Sequence, residues 1–328
     1  MTKIKTAFVT GGSGFVGRDL IRILKENNIS VRALARSDKS IDVVKSLGAI
    51  PIQGDLDSLD AMADGMQDCD VIFHAAAFVD DWGRYDEIYK INVTGTENVL
   101  EAAKRAKVPR LIHLSTEAVY LGGQKLQNAD ETLPLPNKTL GMYPRSKALA
   151  EKIVVANNGP DLQTVVVRPR FIWGVDDTSL LPKVLELVRN GDFMWINNGK
   201  YLTSTCNIKN LSHALVLAAQ KGLGGECYFI TDGEPIELRA FFIDWLGTQG
   251  VDPGTKSIPY WFARVLGYAV DSIWTLIPIK KRPPITTATV LIMGEEVTLD
   301  VSKAAKELGY KPIITRDEGL QAMRNALK

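Results

Sequence analysis

Apolar residues are gathered into short blocks at 4–10, 30–37, 49–56, 71–77, 110–116 and 164–168. Each block is rich in Val, Ile, Leu, Ala or Phe. Runs of that length, without strict alternation, predict strands buried on both faces of a sheet. Between them, residues 18–27, 84–106 and 142–158 carry apolar positions at helical spacing. Strand and helix in alternation predict an α/β fold, a Rossmann-like doubly wound parallel sheet. Residues 207–220 and 226–230 read as one more helix and strand returning to that sheet.

The join between the first strand and its helix is Gly11-Gly12-Ser13-Gly14-Phe15-Val16-Gly17. Strand, glycine turn and helix in that order form a dinucleotide-binding arrangement. Gly11 makes the turn and Gly14 lets a pyrophosphate reach the backbone. Gly17 allows close packing, and the N–H groups at Phe15 and Val16 open the helix towards the phosphates. In such sites the end of the second strand meets the ribose. An acidic residue there suits NAD, whereas an Arg accommodates a 2′-phosphate. Arg36 with Ser37 therefore points to NADP, with NAD as the alternative. Asp55 and Leu56 close the third strand where the adenine edge would lie, and Ala75 and Ala76 close the fourth with small side chains. Ligands in open α/β sheets sit at the carboxyl ends of the strands, and these residues converge there.

Composition removes other readings. The 328 residues carry a formal net charge of +1, so no overall field favours nucleic acid. Cys69, Cys206 and Cys227 are scattered and odd in number, which suggests neither a disulfide framework nor a zinc site. His74, His113 and His213 have no ligand partners at usable spacing; each is expected to satisfy a neighbouring backbone group. The N-terminal residues lack a signal-peptide pattern, so the expected location is the cytoplasm. The most apolar later stretch, 258–278, contains Arg264 and Asp271 and is broken by Pro259, Gly267 and Pro278. It does not fit a spanning helix; an amphipathic helix or lid fits, and a peripheral membrane contact is compatible with it.

The candidate chemistry lies at Tyr143 and Lys147, four residues apart on one predicted helix face. An ammonium beside a phenol favours the phenolate and makes the pair a proton-transfer group. Alone, the pair is common on helix surfaces. It gains meaning beside a nicotinamide.

With the glycine turn, Ser115-Thr116-Glu117-Ala118-Val119-Tyr120, Tyr143-Pro-Arg-Ser-Lys147, Arg168-Pro169-Arg170-Phe171-Ile172-Trp173-Gly174 and the late runs at 298–304 and 308–312, the chain resembles the extended short-chain dehydrogenase/reductase family. Within it, the resemblance is to the 3β-hydroxysteroid dehydrogenase and sterol-4α-carboxylate 3-dehydrogenase branch, which includes 2-alkyl-3-oxoalkanoate reductases. The resemblance implies Tyr143 as acid/base, Lys147 as its electrostatic partner and ribose ligand, Thr116 as hydrogen-bond donor to the reacting oxygen, and Asn92 in support. Pro169 and Ile172 would border the nicotinamide. The expected domains are about 1–170 plus 205–232 for the cofactor and about 171–204 plus 233–328, a smaller interleaved α+β unit, for the substrate. Family members often form homodimers.

The expected reaction is interconversion of a 3-oxo and a 3-hydroxy group on a sterol-like or β-keto fatty acid-like substrate. Dehydratases of the family carry Asp-Glu where this chain has Glu117-Ala118, so the second carboxyl is missing. A nucleotide-sugar epimerase and a catalytically silent NADP sensor are the alternatives. Aromatic residues in the substrate half, Trp173, Phe193, Trp195, Tyr260, Trp261, Phe262 and Trp274, are expected to face an apolar ligand.

Overall fold

The computed structural model describes residues 4–79, 84–276, 283 and 285–327. The described residues build a seven-stranded parallel sheet from β1 (Thr6–Thr10), β2 (Ser30–Ala35), β3 (Ile50–Gln53), β4 (Val71–His74), β5 (Arg110–Leu114), β6 (Gln163–Pro169) and β7 (Cys227–Ile230). The spatial order is β7-β6-β5-β4-β1-β2-β3. The order reverses between β1 and β4, leaving a crevice at their carboxyl ends. Val165, Val166 and Val167 are at most 1% exposed, as a strand covered on both faces requires. One hydrophobic cluster packs Leu20, Leu24, Leu211 and Leu215 on one face, and another packs Met62, Met66, Val99 and Leu100 on the other.

Two elements depart from the sequence reading. The first helix begins at Phe15, not 18, with Gly14 as its N-cap. A Cβ on Gly17 would stand 2.1 Å from the Gly11 carbonyl oxygen, so glycine lets the first helical turn lie against the preceding loop. The stretch expected as one helix over 84–106 is Tyr85–Tyr89, a wide π turn at Lys90–Thr94, and then Gly95–Arg105.

The remaining chain adds a four-stranded sheet in the order Ile236–Glu237, Leu202–Thr203, Val297–Leu299, Leu126–Ala129. Residues 126–129, from between β5 and β6, thus pair with the late run that contains Thr298 and Leu299. Trp173 and Trp195, expected to face a ligand, are at most 2% exposed. They sit edge-on to Phe241 and Phe242 respectively in the core of this half. Large aromatic rings fill this interior, and sequence alone does not distinguish that from a pocket wall. Trp261 and Phe262 lie on the opposite extreme, 67% and 43% exposed on the helix Tyr260–Leu276. That helix is most of the apolar stretch expected over 258–278; its end at Ile277 and Pro278 lies outside the described residues. Among the described residues, no helix is long and apolar enough to cross a membrane.

Candidate active site

Gly11 adopts φ +72°, and a Cβ there would stand 2.7 Å from the Ala76 nitrogen and 2.8 Å from the Ala75 carbonyl carbon. The glycine turn and the end of β4 therefore touch, and only a residue without a side chain permits it. Gly14 is different: a Cβ there would meet only the Gly11 oxygen, at 3.3 Å, so the space it faces is not filled by protein. Arg36 is exposed just beyond β2 and Asp55 half-buried just beyond β3. Burial alone would raise the Asp55 pKa. The Ser58 hydroxyl, the Asp57 amide and the charges of Arg36 and Lys90 outweigh it and hold the carboxyl below its usual range.

Tyr143 is half-buried in the first turn of the helix Met142–Ala156. Gly141 precedes it at φ +83°, and a Cβ there would lie 3.0 Å from the Ala288 Cβ. The helix Thr287–Gly294 thus packs directly on the start of the helix that carries Tyr143. One turn on, Lys147 is 3% exposed. Its Nζ donates to the Leu114 carbonyl at 2.7 Å and lies 3.3 Å from His113 Nε2. Burial drives the Lys147 pKa down to about 8, with Glu151 opposing the shift. Burial, and then the Lys147 charge, push His113 well below the ordinary histidine value. A neutral His113 can accept from the ammonium.

Asn92, in the wide turn, ties the site together. Its Nδ2 donates to Ser146 Oγ at 2.8 Å and to the Phe78 carbonyl at 3.1 Å, and its Oδ1 accepts from the Phe78 amide at 2.7 Å. Ser146 in turn donates to the Tyr143 carbonyl at 2.7 Å. Asn92 thereby fixes the chain after β4 against the helix that carries Tyr143. His74 bridges Thr10 and Thr96 at 2.7 and 2.9 Å. Hydroxyl partners at His74, and the Lys147 ammonium at His113, stand in place of the backbone groups that the sequence reading expected.

Thr116 follows β5 and caps a short 3-10 turn. Its hydroxyl donates to Glu117 Oε2 at 2.8 Å and accepts from the Ala118 amide at 3.2 Å. The resemblance implied a donor to the reacting oxygen; in this structure the hydroxyl is hydrogen-bonded to Glu117. Glu117 Oε1 accepts from Arg170 at 2.6 Å, with both side chains almost fully buried. Arg170 also reaches Thr203 and the Ile292 carbonyl. A second buried pair, Arg168–Glu151 at 2.5 Å, lies beneath, and Glu151 also accepts from Ser115.

The structure brings Gly11, Ala75 and Ala76 together, and links Lys147 to β5 and Asn92 to the Tyr143 backbone. Ile172 packs on the main core, and Pro169 is buried at the end of β6 beside Ile230. His113, Ser146 and the Glu117–Arg170 pair escaped sequence reasoning. The signal available for the pair was two opposite charges flanking otherwise apolar motifs. Two surface clefts of about 410 and 420 Å³, both lined by Asp317 and Glu318, share no residue with this site.

A model of the 3-beta hydroxysteroid dehydrogenase/isomerase family matches residues 8–259. The chain is 46% identical to the 4-hydroxy-2-methyl-3-oxo-4-farnesyl-3,4-dihydroquinoline-1-oxide ketoreductase of Stigmatella aurantiaca, over 97% of this chain and 96% of that one. It is 30% identical to the decarboxylating sterol-4-alpha-carboxylate 3-dehydrogenase of Dictyostelium discoideum, covering 98% and 100%. The crystal structure of gox2253 superposes with a TM-score of 0.79 at 26% identity, covering 98% of each chain.

Proposed function

The chain belongs to the 3-beta hydroxysteroid dehydrogenase/isomerase family, and on that premise we propose that it interconverts a ketone and an alcohol on a hydrophobic substrate, using a nicotinamide cofactor. The relatives named above are a ketoreductase and a dehydrogenase, of a farnesyl compound and a sterol acid respectively. One observation carries the catalytic assignment: Lys147 is buried and anchored to the end of β5, one helical turn from Tyr143. A lysine placed for solvation alone would not be drawn into the interior.

In this reading the residues at the strand ends hold the cofactor, with Gly11, Gly14, Phe15 and Val16 at the pyrophosphate. Arg36 and Ser37 favour NADP over NAD through the 2′-phosphate. When bound, the nicotinamide supplies or accepts the hydride. Tyr143 gives its proton to the oxygen that forms on ketone reduction and takes it back on oxidation. Lys147 stabilises the phenolate left between those steps. Asn92 keeps the helix in place through Ser146. Glu117, committed to Arg170 and Thr116, is poorly placed to serve as the acid of a dehydration.

The test is turnover of NADPH and NADH with a panel of hydrophobic ketones. Tyr143→Phe should lower kcat by at least about a hundredfold, the usual scale of general acid catalysis. It should leave cofactor binding, followed by fluorescence titration, nearly unchanged. An unaltered kcat in this variant would remove Tyr143 from the mechanism.

A further inference from the structure

His74 and His113 stand opposite one another on neighbouring strands, their ring centroids 5.3 Å apart. They are used differently. Both ring nitrogens of His74 are taken up, by the hydroxyls of Thr10 and Thr96. Burial, and then the Lys147 charge, lower its pKa to about 3, so it stays neutral. His113 is fully buried, and among the described residues its Nδ1 has no hydrogen-bond partner. Its Nε2 lies 3.3 Å from Lys147 Nζ. A buried polar atom left unpaired costs stability. An apolar side chain, like those of Leu111 and Ile112 before it, would avoid that cost. What such a side chain would lack is the contact with Lys147.

That contact has a direction. An ammonium has protons to give and no lone pair, so Nε2 must accept, and the ring's own proton then sits on Nδ1. Together with the Leu114 carbonyl, consecutive residues of β5 thus supply two acceptors to one buried cation. The other titratable groups around Lys147 are His74 on β4 and, on its own helix, Tyr143 and Glu151. Glu151 is shared with Arg168 of β6 and Ser115, and Glu117, in the turn packed on this helix, is committed to Arg170. We propose that His113 is a positioning residue, which keeps Lys147 protonated by accepting from it and so sets the pH range of ketone reduction. Burial brings the Lys147 pKa down to about 8, where the loss of one acceptor decides whether the side chain is charged. The inference rests on the ketone/alcohol reading above and adds a residue that acts through Lys147.

The experiment has two arms. Nitrogen-15 NMR of histidine-labelled wild-type protein reads the contact without cofactor or substrate, the His113 signals being those lost in His113→Gln. Below the Lys147 pKa, His113 should be the Nδ1–H tautomer with a bare Nε2, and its signals should shift with a midpoint near 8 as the ammonium is lost. An Nε2–H tautomer there, or signals unmoved by the titration, would overturn the inference. The second arm is the pH profile of kcat/KM for reduction of a hydrophobic ketone. Without an acceptor at 113 the amine forms at lower pH, and the phenolate left by proton transfer loses its support. In His113→Leu the alkaline fall in rate should therefore move down by about one pH unit, the shift that goes with one charge-assisted hydrogen bond. His113→Gln, whose amide oxygen can accept in place of Nε2, should restore most of that shift. A packing role alone would lower kcat/KM by one factor at every pH, leave the limb in place, and overturn the proposal. Should His113→Leu fail to fold, the labelled wild-type protein still decides. Loss of the limb shift with ketone turnover intact would leave the ketone reductase reading standing. No turnover by the wild-type protein at any pH, with cofactor bound, would overturn that reading and the role of His113 with it.

Discussion

Arg36 tests the cofactor at the scale of one residue. It is exposed beyond β2, and its charge reaches Asp55, which it helps to keep ionised. Replacing it with Asp puts a carboxylate where a 2′-phosphate would lie and where a ribose hydroxyl could instead be held. NADPH binding should weaken by at least about tenfold, the minimum for losing a charge-assisted contact, while NADH binding holds or improves. Isothermal titration with both cofactors measures it, and equal losses would count against NADP. Lys147 gives a second residue-level test, in stability. Burial lowers its pKa to about 8 from the unperturbed 10.5, so between those values the unfolded chain binds the proton more tightly. Stability therefore rises with pH across that window. Referenced to Lys147→Met, urea midpoints of the wild-type protein should climb from pH 8 to 10; a flat difference would contradict the buried ammonium.

At the scale of elements, the glycine turn separates two demands that one motif conceals. A Cβ on Gly17 would meet the Gly11 oxygen at 2.1 Å, whereas one on Gly14 has only a 3.3 Å contact. Gly17→Ala should therefore destabilise the fold by about 1–3 kcal/mol, as overpacking does. Gly14→Ala should unfold almost like the wild type yet lose much of its cofactor affinity, because its methyl group enters the space left for a ligand. Urea melts and cofactor titrations on the two variants make the comparison. This turn was legible because its logic is local: seven consecutive residues carry it. The strand–helix alternation was legible for the same reason, through periodicity. Helix starts were less so, since Phe15 rather than Arg18 opens the first helix only because Gly17 admits a close approach that a linear reading does not display. The wide turn at Lys90–Thr94 left no mark on the apolar spacing, yet it carries Asn92 and its links to Phe78 and Ser146.

Across the whole molecule, the contacts that escaped the sequence join residues far apart along it. Glu117 meets Arg170 across 53 positions, and Trp173 is buried by residues about seventy further on. Asp232 shows most clearly how such contacts hold the halves together. Its Oδ2 accepts from Trp173 Nε1 at 2.7 Å and from the Thr205 hydroxyl at 2.8 Å. Its Oδ1 accepts from the Asn207 amide and from Asn210 Nδ2, at 2.5 and 2.8 Å. Asn210, fully buried, then binds the backbone of Ile313 and Ile314 through both ends of its amide. One carboxylate thus connects the aromatic cluster around Trp173, the helix Ile208–Lys221 and the C-terminal segment. Every partner of Asp232 is a donor, so the site needs two acceptor oxygens. Asp232→Asn keeps the shape and supplies only one. With the NH₂ towards Asn207 and Asn210 it faces two N–H donors and two hydrogen bonds are lost; turned the other way it faces Trp173 Nε1–H and the Thr205 hydroxyl, which can accept, so one is lost. Each charged hydrogen bond of this kind contributes about 1.5–3 kcal/mol, so the substitution should cost roughly 1.5 kcal/mol or more in urea unfolding. Hydrogen exchange should then quicken at Ile313 and Ile314 as well as around Trp173, because both depend on the same group. Exchange that rose at Trp173 alone would show that the C-terminal segment is held independently of Asp232, and that the coupling between the halves runs elsewhere.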